Sequence, residues 1–201
     1  MPMNRFYRVI HALATPIVHL LFPFRAVGLE NLPEGGVLLC GNHANAVDPV
    51  LIALAMPGTT DLAIMGKDQL FHIPVLGWAL RKLGVFPVRR GENDLAAMKT
   101  AMKALSDGKR LMVFPEGTRV DYPGQVEAKG GVVVMATRTG TPLVPVYCGG
   151  KRKFLRRTSV VFGEPYVPEI AGRRPTQEET QAAAAEILRR AYALGEVDAW
   201  K

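Results

Sequence analysis

Residues 42–48 read Asn-His-Ala-Asn-Ala-Val-Asp, so an imidazole, His43, and a carboxylate, Asp48, stand five positions apart. A histidine can take a proton from a hydroxyl near neutral pH, and a carboxylate on its other ring nitrogen fixes the tautomer and stabilises the imidazolium that forms. Alone, this spacing fits a general base with its orienter, a pair of metal ligands or a hydrogen-bonded loop. A second run, Pro-Glu-Gly-Thr-Arg at 115–119, gathers Glu116 and Arg119 around a glycine, and further cations stand at Lys67 and Arg90.

Each of these groups follows a short apolar run of the kind that forms a buried strand. Residues 36–40 would deliver Asn42 and His43, 62–65 would end at Gly66-Lys67, 85–88 at Arg89-Arg90, and 111–114 at Pro115. Helical patterns alternate with them. Asp48-Pro49 reads as a helix start, with Asp48 as N-cap and the helix running to about Met56. Further helices are expected over 74–83, stopped by Gly84, over 94–105 with Ala97, Ala101 and Leu105 inward, and over 176–194 with Glu178 and Glu179 in the first turn, while Lys129-Gly130-Gly131 before 132–138 suits either a helix start facing a phosphate or close packing. Strands are also expected over 143–147 and 159–162. The alternation predicts an α/β sandwich with a mixed, largely parallel sheet, whose ligands bind outside the carboxyl ends of the strands.

The length of 201 residues fits one full-sized core. Lys and Arg number 25 against 18 Asp and Glu, a net charge of +7 that favours an anionic partner. With aromatics at 7% and no interleaving of basic and stacking residues, nucleic acid is disfavoured and an acidic membrane surface gains. Cys40 and Cys148 sit in apolar runs and form no disulfide framework, so a reducing cytosolic compartment is expected and no metal site.

Residues 1–24 form a separate expectation. Phe6, Val9, Ile10, Leu13, Ile17, Leu20 and Leu21 recur at helical spacing, with Arg5, Arg8 and His11 on other faces and Pro16 as a kink. His11, Pro16 and His19 interrupt the segment too often for a membrane span, so an interfacial helix on anionic lipid is one reading and a helix packed on its own domain the other. The run at 151–157 adds five cations around Phe154 and Leu155, suited to a solvated hairpin, an anionic bilayer or an acidic protein.

Taken in order, Asn42-His43 through Asp48, Gly84-Val85-Phe86-Pro87-Val88-Arg89-Arg90, Phe114-Pro115-Glu116-Gly117-Thr118-Arg119 and Val144-Pro145-Val146 resemble the four sequence blocks of the glycerolipid acyltransferases, in particular those that act on lysophosphatidic acid. The likeness covers roughly residues 25 to 165. It implies a glycerolipid-acyltransferase-like sandwich over 25–201, preceded by the amphipathic segment. It also implies transfer of a fatty acyl group from an acyl-CoA or acyl-carrier-protein thioester to lysophosphatidic acid, with no cofactor. His43 would be the base and Asp48 its orienter. Lys67, Arg90, Glu116, Gly117, Thr118 and Arg119 would bind substrate, with cations on the acceptor phosphate and a Gly117 or neighbouring N–H on the thioester oxyanion. Glycerol 3-phosphate or another lysophospholipid is the alternative acceptor, and a non-catalytic lipid-binding protein the alternative class. Arg89 and Val120 depart from the family's usual residues. The protein is expected as a monotopic enzyme on the cytoplasmic face of the cell membrane.

Overall fold

The computed structural model describes residues 5–89, 94–149, 155–168, 170 and 175–196. Seven strands form its sheet: β1 (Phe24–Val27), β2 (Val37–Gly41), β3 (Leu62–Lys67), β4 (Val85–Val88), β5 (Arg110–Val113), β6 (Leu143–Cys148) and β7 (Thr158–Phe162). Their spatial order is β1-β7-β6-β2-β5-β3-β4. The five strands from β6 to β4 run parallel, while β7 lies antiparallel on β6 and carries β1 parallel beside it. A mixed, largely parallel sheet is what alternating strand and helix patterns lead one to expect.

Both faces of the sheet are covered, which explains why its strands read as unbroken apolar runs. Leu38 and Cys40 of β2, with Leu111 and Val113 of β5, pack on one side against α4 (Leu95–Ser106), α5 (Gly131–Thr139) and α6 (Gln177–Ala193). Val37 and Leu39, with Met112, Val144 and Val146, face the other side, where α2 (Asp48–Ala55) contributes Leu51 and Ile52. Two helix starts follow local capping chemistry. Asp94 accepts from the Ala97 N–H, and Thr176 with Glu179 forms a reciprocal capping box. Helix α3 (Pro74–Lys82) stops before Gly84, whose φ of 80° only glycine adopts without strain.

The strand β1 was not foreseen, because Phe-Arg-Ala-Val is short and interrupted by an arginine. It forms because β7 offers a parallel edge, with Phe24 opposite Thr158. Among the described residues no helix is long and apolar enough to cross a membrane.

Helix α1 (Arg5–Leu21) divides the expected apolar stripe between two duties. Tyr7 is buried in the core cluster beneath α2, Val18 packs against the same cluster, and His11 Nε2 donates to the Met56 carbonyl at 2.9 Å. Val9, Leu13, Ile17 and Leu20 point outward instead. Phe6 meets Trp78 of α3 edge-on, with ring centroids 5.3 Å apart. Pro16 lies inside the helix without ending it.

Candidate active site

The carboxyl ends of β2, β3 and β5 lie side by side, since β5 pairs with both of the others. This neighbourhood assembles the site. Asn42 leaves β2 with its amide bound twice to the backbone of Cys148, Nδ2 donating to the carbonyl at 3.1 Å and Oδ1 accepting from the N–H at 2.7 Å. The end of β2 is thereby tied to the end of β6, and His43 follows on a fixed backbone.

His43 is 6% exposed and held from several directions. Its Nδ1 lies 3.2 Å from Asp48 Oδ2. An ionised carboxylate only accepts, so Nδ1 carries the proton and Nε2 is the nitrogen able to take another. The imidazole stacks on Phe114, with centroids 4.3 Å apart and planes at 23°. The His43 carbonyl accepts from the Val120 N–H at 2.9 Å, and its own N–H donates to Glu116 Oε2 at 2.7 Å.

Asp48 differs from its expected part as a helix cap. Val47 occupies the cap position, and Asp48 stands in the first turn of α2. Its Oδ2 turns back onto the preceding loop and accepts from the N–H groups of Ala44 at 2.8 Å and Asn45 at 2.7 Å as well as from His43. One oxygen therefore orders the loop and orients the imidazole. The carboxylate is wholly buried, where such charge-assisted bonds are strong.

Glu116 also departs from expectation. The family resemblance implied a substrate-binding residue, yet its side chain is only 3% exposed and turned inward. While Oε2 takes the His43 N–H, Oε1 accepts from the hydroxyl of Tyr192 on α6. Burial pushes its carboxyl up, and the bonds from Tyr192 and from the His43 backbone pull it back. Tyr192 is raised, first by burial and then by this hydrogen bond.

Gly117 has φ +69° and donates its N–H to the Phe114 carbonyl at 2.9 Å. It makes the tight turn that carries the chain from β5 back toward the site, and its amide is spent in that turn instead of facing an oxyanion. Thr118 is exposed on the same loop. Arg90 lies outside the described residues, as do residues 151–154 of the cationic run. Arg89 donates its backbone N–H to Asp94 at 3.0 Å.

A cavity of about 470 Å³ opens beside His43, within the range of small-molecule sites. His43, Lys67 and Arg119 line it together, while Val50, Ala53, Leu80 and Val85 give it hydrocarbon walls, and Tyr7, Ile10 and Ala14 of α1 close one side. The arrangement offers the His43 imidazole, two cations and an apolar chamber.

A family model of acyltransferases matches residues 23–149. The chain belongs to the acyltransferase family. It is 31% identical over 159 residues to the 1-acyl-sn-glycerol-3-phosphate acyltransferase of Bacillus subtilis, covering 76% of this chain and 78% of that one. It is likewise 31% identical over 142 residues to the chloroplastic 1-acyl-sn-glycerol-3-phosphate acyltransferase BAT2 of Brassica napus, covering 67% of this chain but 40% of that protein's length. Its fold is similar to the crystal structure of the 1-acyl-sn-glycerophosphate (LPA) acyltransferase PlsC of Thermotoga maritima, with a TM-score of 0.68 and 24% identity over 96% of this chain and 79% of that one.

Three residues around His43 and Glu116 carried no assigned part in the sequence reading. Phe114 was read as the end of a strand and the first residue of the third block, although it also forms the platform for His43. Gly41 makes room for that platform, since a Cβ there would stand 3.0 Å from the Phe114 ring. Tyr192 lies 76 residues from Glu116 on the last helix, and no local pattern marks it.

Proposed function

We propose that this acyltransferase moves a fatty acyl group from an acyl thioester to the sn-2 hydroxyl of 1-acyl-glycerol 3-phosphate, giving phosphatidic acid. The observation that carries the reading is the shared cavity, in which His43 stands where two cations meet an apolar chamber. A phosphate held by Lys67 and Arg119 would set the glycerol hydroxyl against Nε2, with hydrocarbon lying along the apolar walls. The names of the Bacillus and Brassica relatives support the same choice of acceptor.

The steps follow from the tautomer. Nε2 takes the hydroxyl proton as the oxygen attacks the thioester carbonyl, and Asp48 stabilises the imidazolium. The tetrahedral intermediate then breaks its C–S bond, and the departing thiolate takes the proton back from Nε2. An ester and a free thiol result, and His43 returns to its starting state. Such base catalysis contributes on the order of 10² to 10⁴ in rate. The thiol carrier is coenzyme A or acyl carrier protein.

Val9, Leu13, Ile17 and Leu20 of α1 and Val75 and Trp78 of α3 give an exposed apolar border on two helices that meet at Phe6 and Trp78. With Arg5 and Arg8 exposed on α1, this border suits a monotopic seat on the anionic cytoplasmic face of the cell membrane.

The deciding experiment gives the purified protein lysophosphatidic acid, glycerol 3-phosphate and other lysophospholipids against acyl-CoA and acyl-carrier-protein donors, measuring thiol release and the lipid product. Phosphatidic acid from lysophosphatidic acid is expected. Turnover with another acceptor alone, or none at all, would overturn the reading.

A further inference from the structure

We propose that Tyr192 is a positioning residue for acyl transfer, its hydroxyl fixing the Glu116 carboxylate that in turn holds the backbone of His43. The inference rests on the acyl-transfer reading above for its kinetic consequence, and on geometry for the contact itself.

Glu116 is almost wholly buried, and its two oxygens have separate duties. Oε2 accepts from the His43 N–H at 2.7 Å, whereas Oε1 accepts from Tyr192. The last torsion of a glutamate is broad and roughly two-fold, so a single bond to one oxygen sets it only loosely. The Tyr192 bond therefore selects the rotation in which Oε2 meets the amide of His43. That amide and the His43 carbonyl, bound to the Val120 N–H at 2.9 Å, are the two backbone anchors of the residue that carries the base. Asp48 and Phe114 set the ring, but neither fixes the Cα from which it hangs.

Tyr192 lies well beyond the segment matched by the family model, which ends at residue 149. It is placed by α6, whose Ala184, Ile187 and Leu188 pack into the core on the face of the sheet opposite α2. The tie thus runs from the helix layer behind the sheet to the base in front of it. It touches neither the cavity nor its cations, so its loss should change the chemical step and leave acceptor binding alone.

The test is Tyr192→Phe in the full chain, which keeps the ring and removes one oxygen. A displaced base lowers kcat steeply, and a loss of roughly 10- to 100-fold is expected with the acceptor KM within about twofold of wild type. In a Glu116→Ala background the hydroxyl has nothing to hold, so adding Tyr192→Phe should cost less than about twofold more. Independently of turnover, the His43 backbone amide proton should move upfield in Tyr192→Phe, as a weakened bond to the carboxylate requires, while sheet amides stay in place. An unchanged kcat with a lowered Tm would make Tyr192 merely structural and overturn the proposal, as would an unshifted His43 amide or a full additional loss in the Glu116→Ala background. Should wild type transfer acyl groups to no acceptor, the acyl-transfer reading fails by itself and the amide resonance still decides whether the tie exists.

Discussion

Asp48→Asn separates the charge of the orienting carboxylate from its shape. In the wild-type protein Oδ2 alone accepts from His43 Nδ1 at 3.2 Å and from the N–H groups of Ala44 and Asn45. An asparagine can place its carbonyl oxygen at the same point and keep all three bonds, so loop and tautomer survive. The negative charge beside the ring does not. A hydrogen bond to a charged group is worth about 1.5 to 3 kcal/mol. The imidazolium formed during attack loses that stabilisation, so kcat should fall roughly 10- to 200-fold. Because Asp48 is wholly buried behind the ring, acceptor KM should stay within about twofold. Asp48→Ala should do worse, since it also strips the two loop amides of their acceptor. The assay is thiol release from an acyl thioester at saturating lysophosphatidic acid, with thermal unfolding recorded for each variant. A folded Asp48→Asn protein retaining wild-type kcat within threefold would refute the assignment of His43 as a base whose imidazolium Asp48 stabilises.

Other outcomes follow from the same contacts. Gly41→Ala puts a Cβ 3.0 Å from the Phe114 ring and 3.3 Å from Ile52, so overpacking should cost about 1 to 3 kcal/mol in denaturant unfolding and lower kcat several-fold as the platform under His43 shifts. Lys67→Ala and Arg119→Ala should each raise acceptor KM by roughly tenfold, in keeping with one lost charge-assisted bond at an exposed position, and an unchanged KM in both would remove the phosphate clamp. Glu186 is held at about 2, first by its hydrogen bond to Arg189 and then by that to Arg190. A depressed carboxyl contributes stability above its unfolded value of 4.5 that is lost as pH falls toward 2, so Glu186→Gln should lower the unfolding free energy at pH 7 by less than about 1 kcal/mol for so solvated a bridge, and match wild type near pH 2 in denaturant unfolding. Joint replacement of Leu13 and Ile17 by Glu should weaken binding to anionic vesicles by roughly 10²- to 10⁴-fold in co-sedimentation, given about 1.5 to 3 kcal/mol for each aliphatic side chain removed from lipid contact.

Sequence alone settled what depends on near neighbours. The helix starts at Asp94 and Thr176 follow from side chains that reach their own backbone three residues on. The strands from β2 to β7 were legible because burial on two faces demands apolar residues throughout. The ordered blocks around His43 and Glu116 mark the family without reference to the fold. Tertiary structure decided what depends on distant partners. It set β5 beside β2, which lets Glu116 bind the His43 amide across 73 residues. It gave β1 a place on the edge of β7, and it turned Asp48 from a cap of its own helix into the acceptor for the loop before it. It also brought Tyr192 to Glu116 from the last helix. Capping and periodicity are encoded within a turn or two of chain, whereas strand order and the aim of a buried carboxylate are fixed only when the whole core closes and every buried polar atom must find a partner.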